Sequence, residues 1–275
     1  MSAQQTAGRV ARSDALEHLA RVGLVAYGVV HLLIAWLALQ LAWGGGNGSA
    51  DQSGALQTVA SEPFGRPLLW VLGVGLIALA LWQAAEVLRY TGGLSGSGDA
   101  KKKAVTGVVK CVGKVVVYAF LAFSALRFAT GGGSSSSAEQ QQTTSGTFGL
   151  PGGRFLVGVA GLVVIGVGVY QVVKGLRKKF LEEIDTSSAS PQQVRVVERL
   201  GQVGYVAKGA AFVVVGGLLA YAAITFDPSK ATGLDGAMHT ILQAPFGQWL
   251  LTLVALGIAA FGVFCFFRAR YPQRT

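Results

Sequence analysis

The amino-acid sequence predicts an all-helical, polytopic membrane protein with six transmembrane helices arranged as three tandem two-helix repeats. Three observations predict it. The 275 residues are 52% hydrophobic and only 13% charged, about half the roughly 25% charged share of a soluble domain. Six stretches approach or exceed the roughly 18 apolar residues that suggest a membrane span. A Pro-x-Gly turn stands before every second stretch, so the pattern is written three times.

The six stretches are Val22 to Trp43, Leu68 to Leu88, Val108 to Phe128, Phe155 to Val173, Val203 to Thr225 and Trp249 to Phe267, and none contains a proline. Backbone groups in hydrocarbon must be satisfied within the segment, so unbroken apolar runs of this length are helices. Barrel strands would instead alternate polar and apolar residues over about ten positions. The first stretch is too long for the apolar part of a signal peptide and no cleavage pattern follows it, so it is expected to stay attached.

Six spans put both termini on one side, and the basic residues choose which. The terminal segments, the loops after spans two and four and the span ends next to those loops hold 19 of the 23 Lys and Arg, leaving Arg66, Arg127, Arg154 and Lys230 opposite. This asymmetry predicts cytoplasmic termini in a bacterial cytoplasmic membrane. The formal charge of +10 is thus mostly a topology signal. No basic segment is long enough to form a nucleic-acid-reading domain, and a nucleic-acid partner is not expected. Two cysteines, Cys111 and Cys265, cannot make a disulfide framework and read as reduced, small apolar residues.

The repeats can be aligned residue by residue. Glu62-Pro63-Phe64-Gly65-Arg66, Leu150-Pro151-Gly152-Gly153-Arg154 and Ala244-Pro245-Phe246-Gly247-Gln248 open the second spans in register. The same offsets carry Trp82-Gln83 onto Tyr170-Gln171 and Phe264-Cys265, and Glu86 onto Lys174 and Arg268. In the first spans Tyr27-Gly28 matches Tyr118-Ala119 and Lys208-Gly209, while Gly23 matches Lys114 and Gly204. The expected units are a cytoplasmic segment at 1–18 and repeats at 19–89, 108–179 and 199–271.

This tripled two-helix unit, with its Pro-x-Gly turns and Tyr-Gly or Lys-Gly positions, resembles an uncharacterised bacterial membrane family designated domain of unknown function 1206. The resemblance covers roughly Leu19 to Tyr271. It implies an architecture and brings no reaction, ligand or partner.

Between the spans, Ser13, Asp99 and Ser190-Pro191 read as helix starts, with Ser13 opening an interfacial helix through Asp14, Glu17 and Leu19. Ala55 to Ala60 and Ala237 to Ala244 read as short outer helices, and the low-complexity stretch from Gly131 to Thr144 as a flexible loop. Small-residue pairs such as Gly73/Gly75 and Gly166/Gly168 lie inside apolar helices with no strand before them, so they serve helix packing and not phosphate binding.

Ionisable groups at membrane depth carry the remaining functional signal, because they are costly in lipid and usually face a bundle interior or a water path. Tyr27, His31, Glu86, Lys114, Tyr118 and Lys208 are the candidate residues. Around a pseudo-threefold axis they would converge as an anion-attracting vestibule in the cytoplasmic half. Lys110, Lys174 and Arg268 are expected instead to snorkel to lipid phosphates. His31 is expected to be a hydrogen-bonded structural histidine; a haem on it would need a second axial ligand that the sequence does not supply. No HExxH or CxxC pattern and no acid, base and nucleophile cluster occurs; Asp51, Glu62, Asp227, Asp235 and His239 are scattered over two outer loops. No cofactor, metal site or catalytic residue is therefore expected. The expected function is that of a structural or accessory membrane component binding a protein or lipid partner. The alternative is a small-solute or ion transporter or channel.

Overall fold

The computed structural model describes residues 14–44, 48–91, 98–133, 136–185, 187 and 189–271. Among these the chain is all-helical, with six helices long and apolar enough to cross a membrane. They are α1 (Asp14–Ala42), α3 (Gly65–Thr91), α4 (Asp99–Ala129), α6 (Gly153–Leu176), α7 (Pro191–Thr225) and α9 (Gly247–Arg270). Between the spans lie α2 (Gln52–Ser61), α5 (Ser136–Phe148) and α8 (Leu234–Leu242), together with short 3₁₀-helices at Lys179–Glu183 and Pro228–Lys230.

Several local expectations change. α1 runs unbroken from Asp14 into the span, so no separate interfacial helix precedes it; Ser13 and the rest of 1–13 lie outside the described residues. Asp99 is the first residue of α4 and not its cap. The cap position belongs to Gly98, whose φ of 63° is open to glycine. Ser190 does cap α7, accepting from the Gln193 amide in a reciprocal capping box with Pro191 behind it.

The stretch expected to be a flexible loop is ordered from Ser136 onward as α5. Tertiary contacts explain this. Gln140 and Gln141 donate to the carbonyls of Thr232 (3.2 Å) and Ser229 (3.3 Å), Thr144 is buried, and Phe148 stacks on Phe226 at 4.8 Å. The turn they grip is held by the Asp227 carboxylate, which accepts from Ser229 N at 2.9 Å. That hydrogen bonding keeps the Asp227 pKa below its ordinary value.

The tripled Pro-x-Gly turn shares one hydrogen bond. Gly65, Gly153 and Gly247 each donate to the carbonyl three residues back, on Glu62, Leu150 and Ala244, at 2.9, 2.9 and 2.8 Å. A side chain at these glycines would overlap the preceding helix end, at the carbonyls of Val59, Thr147 and Leu242. Only glycine lets the chain double back so closely. In the third repeat the residue before it, Phe246, is left-handed (φ 58°) and 82% exposed. Nearby, Trp43 and Trp249 meet edge to face at 5.6 Å, the aromatic signature of a membrane–water boundary.

The chain divides into two compact units, Met1–Ala55 with Ser135–Thr275, and Leu56–Ser134. In the first, α6 lies along α7 and α9 along α1, with α9 also against α7; in the second, α3 lies along α4. Each of the three strong pairs joins the second span of one repeat to the first span of the next, and the third repeat closes on the first. The repeats are therefore linked by exchange of neighbours.

Glycine makes the close pairs possible. A Cβ on Gly28 would lie 2.8 Å from the Gly262 carbonyl oxygen, and one on Gly209 would lie 2.6 Å from that of Gly168. Gly161 and Gly216 meet in the same way on α6 and α7. The repeat register puts Ala119 and Ala80 at the positions of Gly28 and Gly262. Both alanines line an apolar groove of about 350 Å³ between α3 and α4, beside Ile77, Leu81 and Phe123. The groove thus lies where alanine methyls stand in place of the paired glycines.

Two predictions follow from this packing. Gly209→Ala should cost about 1–3 kcal/mol by overpacking. Gly166→Ala, with open space around it, should be neutral or slightly stabilising. Thermal unfolding in detergent compares the two, and coincident curves would remove the glycine crossing as a determinant. For Asp227, a depressed folded-state pKa means that the turn is fully supported above the ordinary carboxylate pKa and loses that support as pH falls through the folded value. The protection factor of the Ser229 amide, its exchange relative to an unstructured amide at the same pH, should fall on acidification, whereas a pH-independent protection factor would refute the link.

Candidate functional site

The site is built where α1, α7 and α9 approach one another. A Cβ on Gly204 of α7 would lie 2.6 Å from Phe261 Cα, so α9 sits directly on that helix. Phe261 is buried there, between Tyr27 at 6.0 Å, His31 at 4.9 Å and Tyr205 at 5.1 Å between ring centroids. His31 is 7% exposed, packs edge-on to Tyr27 at 4.3 Å, and places Nδ1 2.8 Å from the Tyr27 carbonyl oxygen one turn back. His31 is thus hydrogen-bonded within its own helix.

Lys208 reaches the same cluster from α7. Its ammonium donates to the Tyr27 hydroxyl and lies 4.8 Å from the Tyr27 ring centre and 4.3 Å from that of Phe261. Aromatic faces attract a cation by roughly 0.5–2 kcal/mol, more as it is desolvated. A lysine at membrane depth is thereby accommodated by one hydroxyl and two rings. Tyr27 and Lys208 hold equivalent positions in the first and third repeats, and the structure brings them into contact.

A second cluster lies toward the ends of α6 and α9. Lys174 donates to the Glu183 carboxylate and to the Tyr205 hydroxyl (3.3 Å), and its ammonium is 4.7 Å from the Tyr205 ring centre. Arg268 Nη1 stands 3.0 Å from the other Glu183 oxygen. The expectation that Lys174 and Arg268 extend to lipid phosphates is thus replaced. Both instead meet an acid from the linker, Glu183.

Local geometry delivers Glu183. The chain leaves α6 through Lys178 in a left-handed conformation (φ 56°) and enters the 3₁₀-helix. Phe180, fully buried, stacks on Tyr205 at 5.4 Å and meets Phe264 edge to face at 5.3 Å. Gly201 makes the space, since a Cβ there would overlap the Phe180 ring. Lys178 pairs with Glu198 on α7, and Asp185 N donates to the Tyr271 carbonyl at 3.1 Å. The linker is a strap across this end of the first unit.

Glu86, Lys114 and Tyr118 lie in the second unit. Lys114 is exposed on α4, one turn before half-buried Tyr118, and Glu86 is half-buried on α3. The side chain of Lys110 lies outside the described residues. At the opposite end the acids of the two outer loops do adjoin: Asp235 Oδ1 accepts from Ala50 N at 2.8 Å, beside buried Asp51, which accepts from Gly54 N. Arg154 donates to the carbonyls of Ala223 and Ile224 at 2.6 Å each, closing the end of α7. Phe180, Glu183, Tyr205 and Phe261 escaped the sequence reading. The available signal was a phenylalanine and an acid embedded in a basic linker.

A description that reads Domain of Unknown Function (DUF1206) matches the chain at residues 22–89, 109–178 and 203–272. The chain belongs to the DUF1206 family. It is 32% identical over 263 residues to the uncharacterised protein YxxB of Bacillus subtilis (strain 168), covering 94% of this chain and 92% of that one. No solved structure matches. Each DUF1206 match contains one of the three aligned positions Tyr27, Tyr118 and Lys208, and one of Glu86, Lys174 and Arg268. The two clusters therefore combine equivalent positions of the family's repeat with Glu183 and Phe180, from outside all three matches.

Phe180→Ala should destabilise the protein by about 3–5 kcal/mol, the cost of an unfilled aromatic site. It should also raise protease sensitivity within 178–185. Equal unfolding temperatures and cleavage patterns for variant and wild type would show that the strap does not depend on this ring.

Proposed function

We propose that the protein is an accessory component of a bacterial cytoplasmic membrane that binds a protein or lipid partner, with both termini cytoplasmic. One observation carries this reading: cations within and at the ends of the spans of the first unit are engaged by its own side chains. Lys208 is taken up by Tyr27 and Phe261, and Lys174 and Arg268 by Glu183. A conduit would need such groups turned to a continuous water path. The orientation rests on the 19-to-4 distribution of Lys and Arg. Large exposed apolar residues such as Leu81, Leu88, Val116 and Leu253 provide faces for lipid or for another membrane protein.

The second reading is a small-solute or ion transporter or channel with a basic cytoplasmic-side vestibule. It is favoured by the meeting of Tyr27 with Lys208, with Tyr27 left 38% exposed. Purified protein in liposomes decides between the two. The accessory reading expects no ion or solute movement above empty vesicles, and a defined partner retained after mild detergent extraction. A flux that Lys208→Ala and Glu86→Ala both abolish would replace it with the transporter reading.

A further inference from the structure

We propose that Lys174, Arg268 and the Tyr205 hydroxyl form an anion-binding cradle, in which the Glu183 carboxylate holds the place of an external phosphate or carboxylate group. The cations come from equivalent positions of two repeats, on α6 and α9, and converge on the two oxygens of one carboxylate. The Tyr205 hydroxyl stands beside Lys174. Two cations facing one acid leave the cluster net positive. A phosphate, with its higher charge and three acceptor oxygens, would satisfy both cations more fully than Glu183 does.

Position gives the ligand its chemistry. Lys174 is two residues from the end of α6 and Arg268 two from the end of α9. α7 has 35 residues, about 52 Å at 1.5 Å per residue, so its first turns extend past a hydrocarbon core of about 30 Å. Tyr205, fifteen residues into α7, thus comes at the headgroup level. Basic pockets between membrane helices at that level are where anionic headgroups bind.

The occupant is separable from the cradle. Glu183 belongs to no span: it ends a five-residue 3₁₀-helix anchored by Phe180, three positions earlier. Its side chain is 31% exposed and that of Arg268 34%, while Lys174 is 13% exposed. An anion therefore has an approach from the Glu183 side. It can take the carboxylate's place with the Phe180 ring still seated, which frees the end of the 3₁₀-helix from its tie to α6 and α9.

This inference deepens the accessory reading by naming its ligand chemistry. Because binding is measured on the isolated chain, its failure leaves a co-purified protein partner unaffected. The full chain is placed in nanodiscs of phosphatidylcholine and titrated with inorganic phosphate. In a parallel arm, phosphatidic acid, whose phosphomonoester has the three free oxygens, is added to the lipid and its retention is measured by native mass spectrometry. Glu183→Gln should bind the effective anion several-fold more tightly than wild type, with the gain weakening as salt rises. Lys174→Met with Arg268→Met should abolish that binding. A gain in the lipid arm alone identifies a headgroup, and a gain in the phosphate arm identifies a free anion. The wild-type chain gives a second measurement that does not depend on the folding of a variant: amide exchange over 179–185 should increase with the bound anion. The proposal is overturned if Glu183→Gln matches wild type in both arms, or if its gain survives the double substitution. Should that variant not be recoverable, wild-type exchange indifferent to both anions overturns it.

Discussion

Two helices surrounded by hydrocarbon gain little from hiding apolar side chains from each other's solvent, so their association rests on how closely the backbones can approach. In this protein that approach is made at glycine, where Gly28 of α1 faces Gly262 of α9 and Gly168 of α6 faces Gly209 of α7. The functional geometry is a direct consequence. Tyr27 precedes Gly28, Lys208 precedes Gly209 and Phe261 precedes Gly262, so each crossing carries a cluster residue on its shoulder. Closing the crossings brings hydroxyl, ammonium and ring together. Larger residues at these positions would separate the helices and with them the groups that make Lys208 tolerable inside the bundle.

The same constraint explains an asymmetry among the three pairs. Where the register substitutes alanines, at Ala80 and Ala119, those residues line an apolar groove. Equivalent positions thus use one architectural rule with different steric allowances. A tandem repeat can keep its topology through the turn glycines, whose backbone geometry tolerates no side chain, while the crossings vary by one methyl group.

Much of the architecture was legible because a bilayer restricts the solutions so severely. Unbroken apolar runs had to be helices, and Pro-x-Gly in register had to mark one turn three times. The partial reading of the site has an equally physical cause. Tyr27 and Lys208 stood out because polarity within an apolar run is conspicuous, whereas Phe180 and Glu183 lie in a mixed linker where neither polarity nor periodicity distinguishes them. Their importance comes from tertiary geometry: a left-handed Lys178 turns the chain back, and the gap at Gly201 admits the ring. The helix at Ser136–Phe148 was obscured for a related reason, since its glutamines dock on carbonyls of another repeat. Pairing across repeat boundaries left no local trace, because nothing in a hairpin's own sequence says which neighbour it prefers.

Divergence of the repeats sets up an electrostatic problem that the linker resolves. The position closing each second span is an acid in the first repeat, Glu86, and a cation in the other two, Lys174 and Arg268. Charges of one sign at equivalent positions repel when packing draws their helices together, and at a membrane boundary the surrounding water screens them only on one side. Snorkelling would relieve the repulsion by turning each cation outward, at the expense of any function that needs them together. Glu183 relieves it while keeping both cations inward, so the strap preserves a two-cation arrangement that the spans alone would scatter. An acid within one of the spans would have neutralised the pair permanently. Placed on a short segment with its own aromatic anchor, the carboxylate can be exchanged for another anion while the helices stay where the glycine crossings hold them.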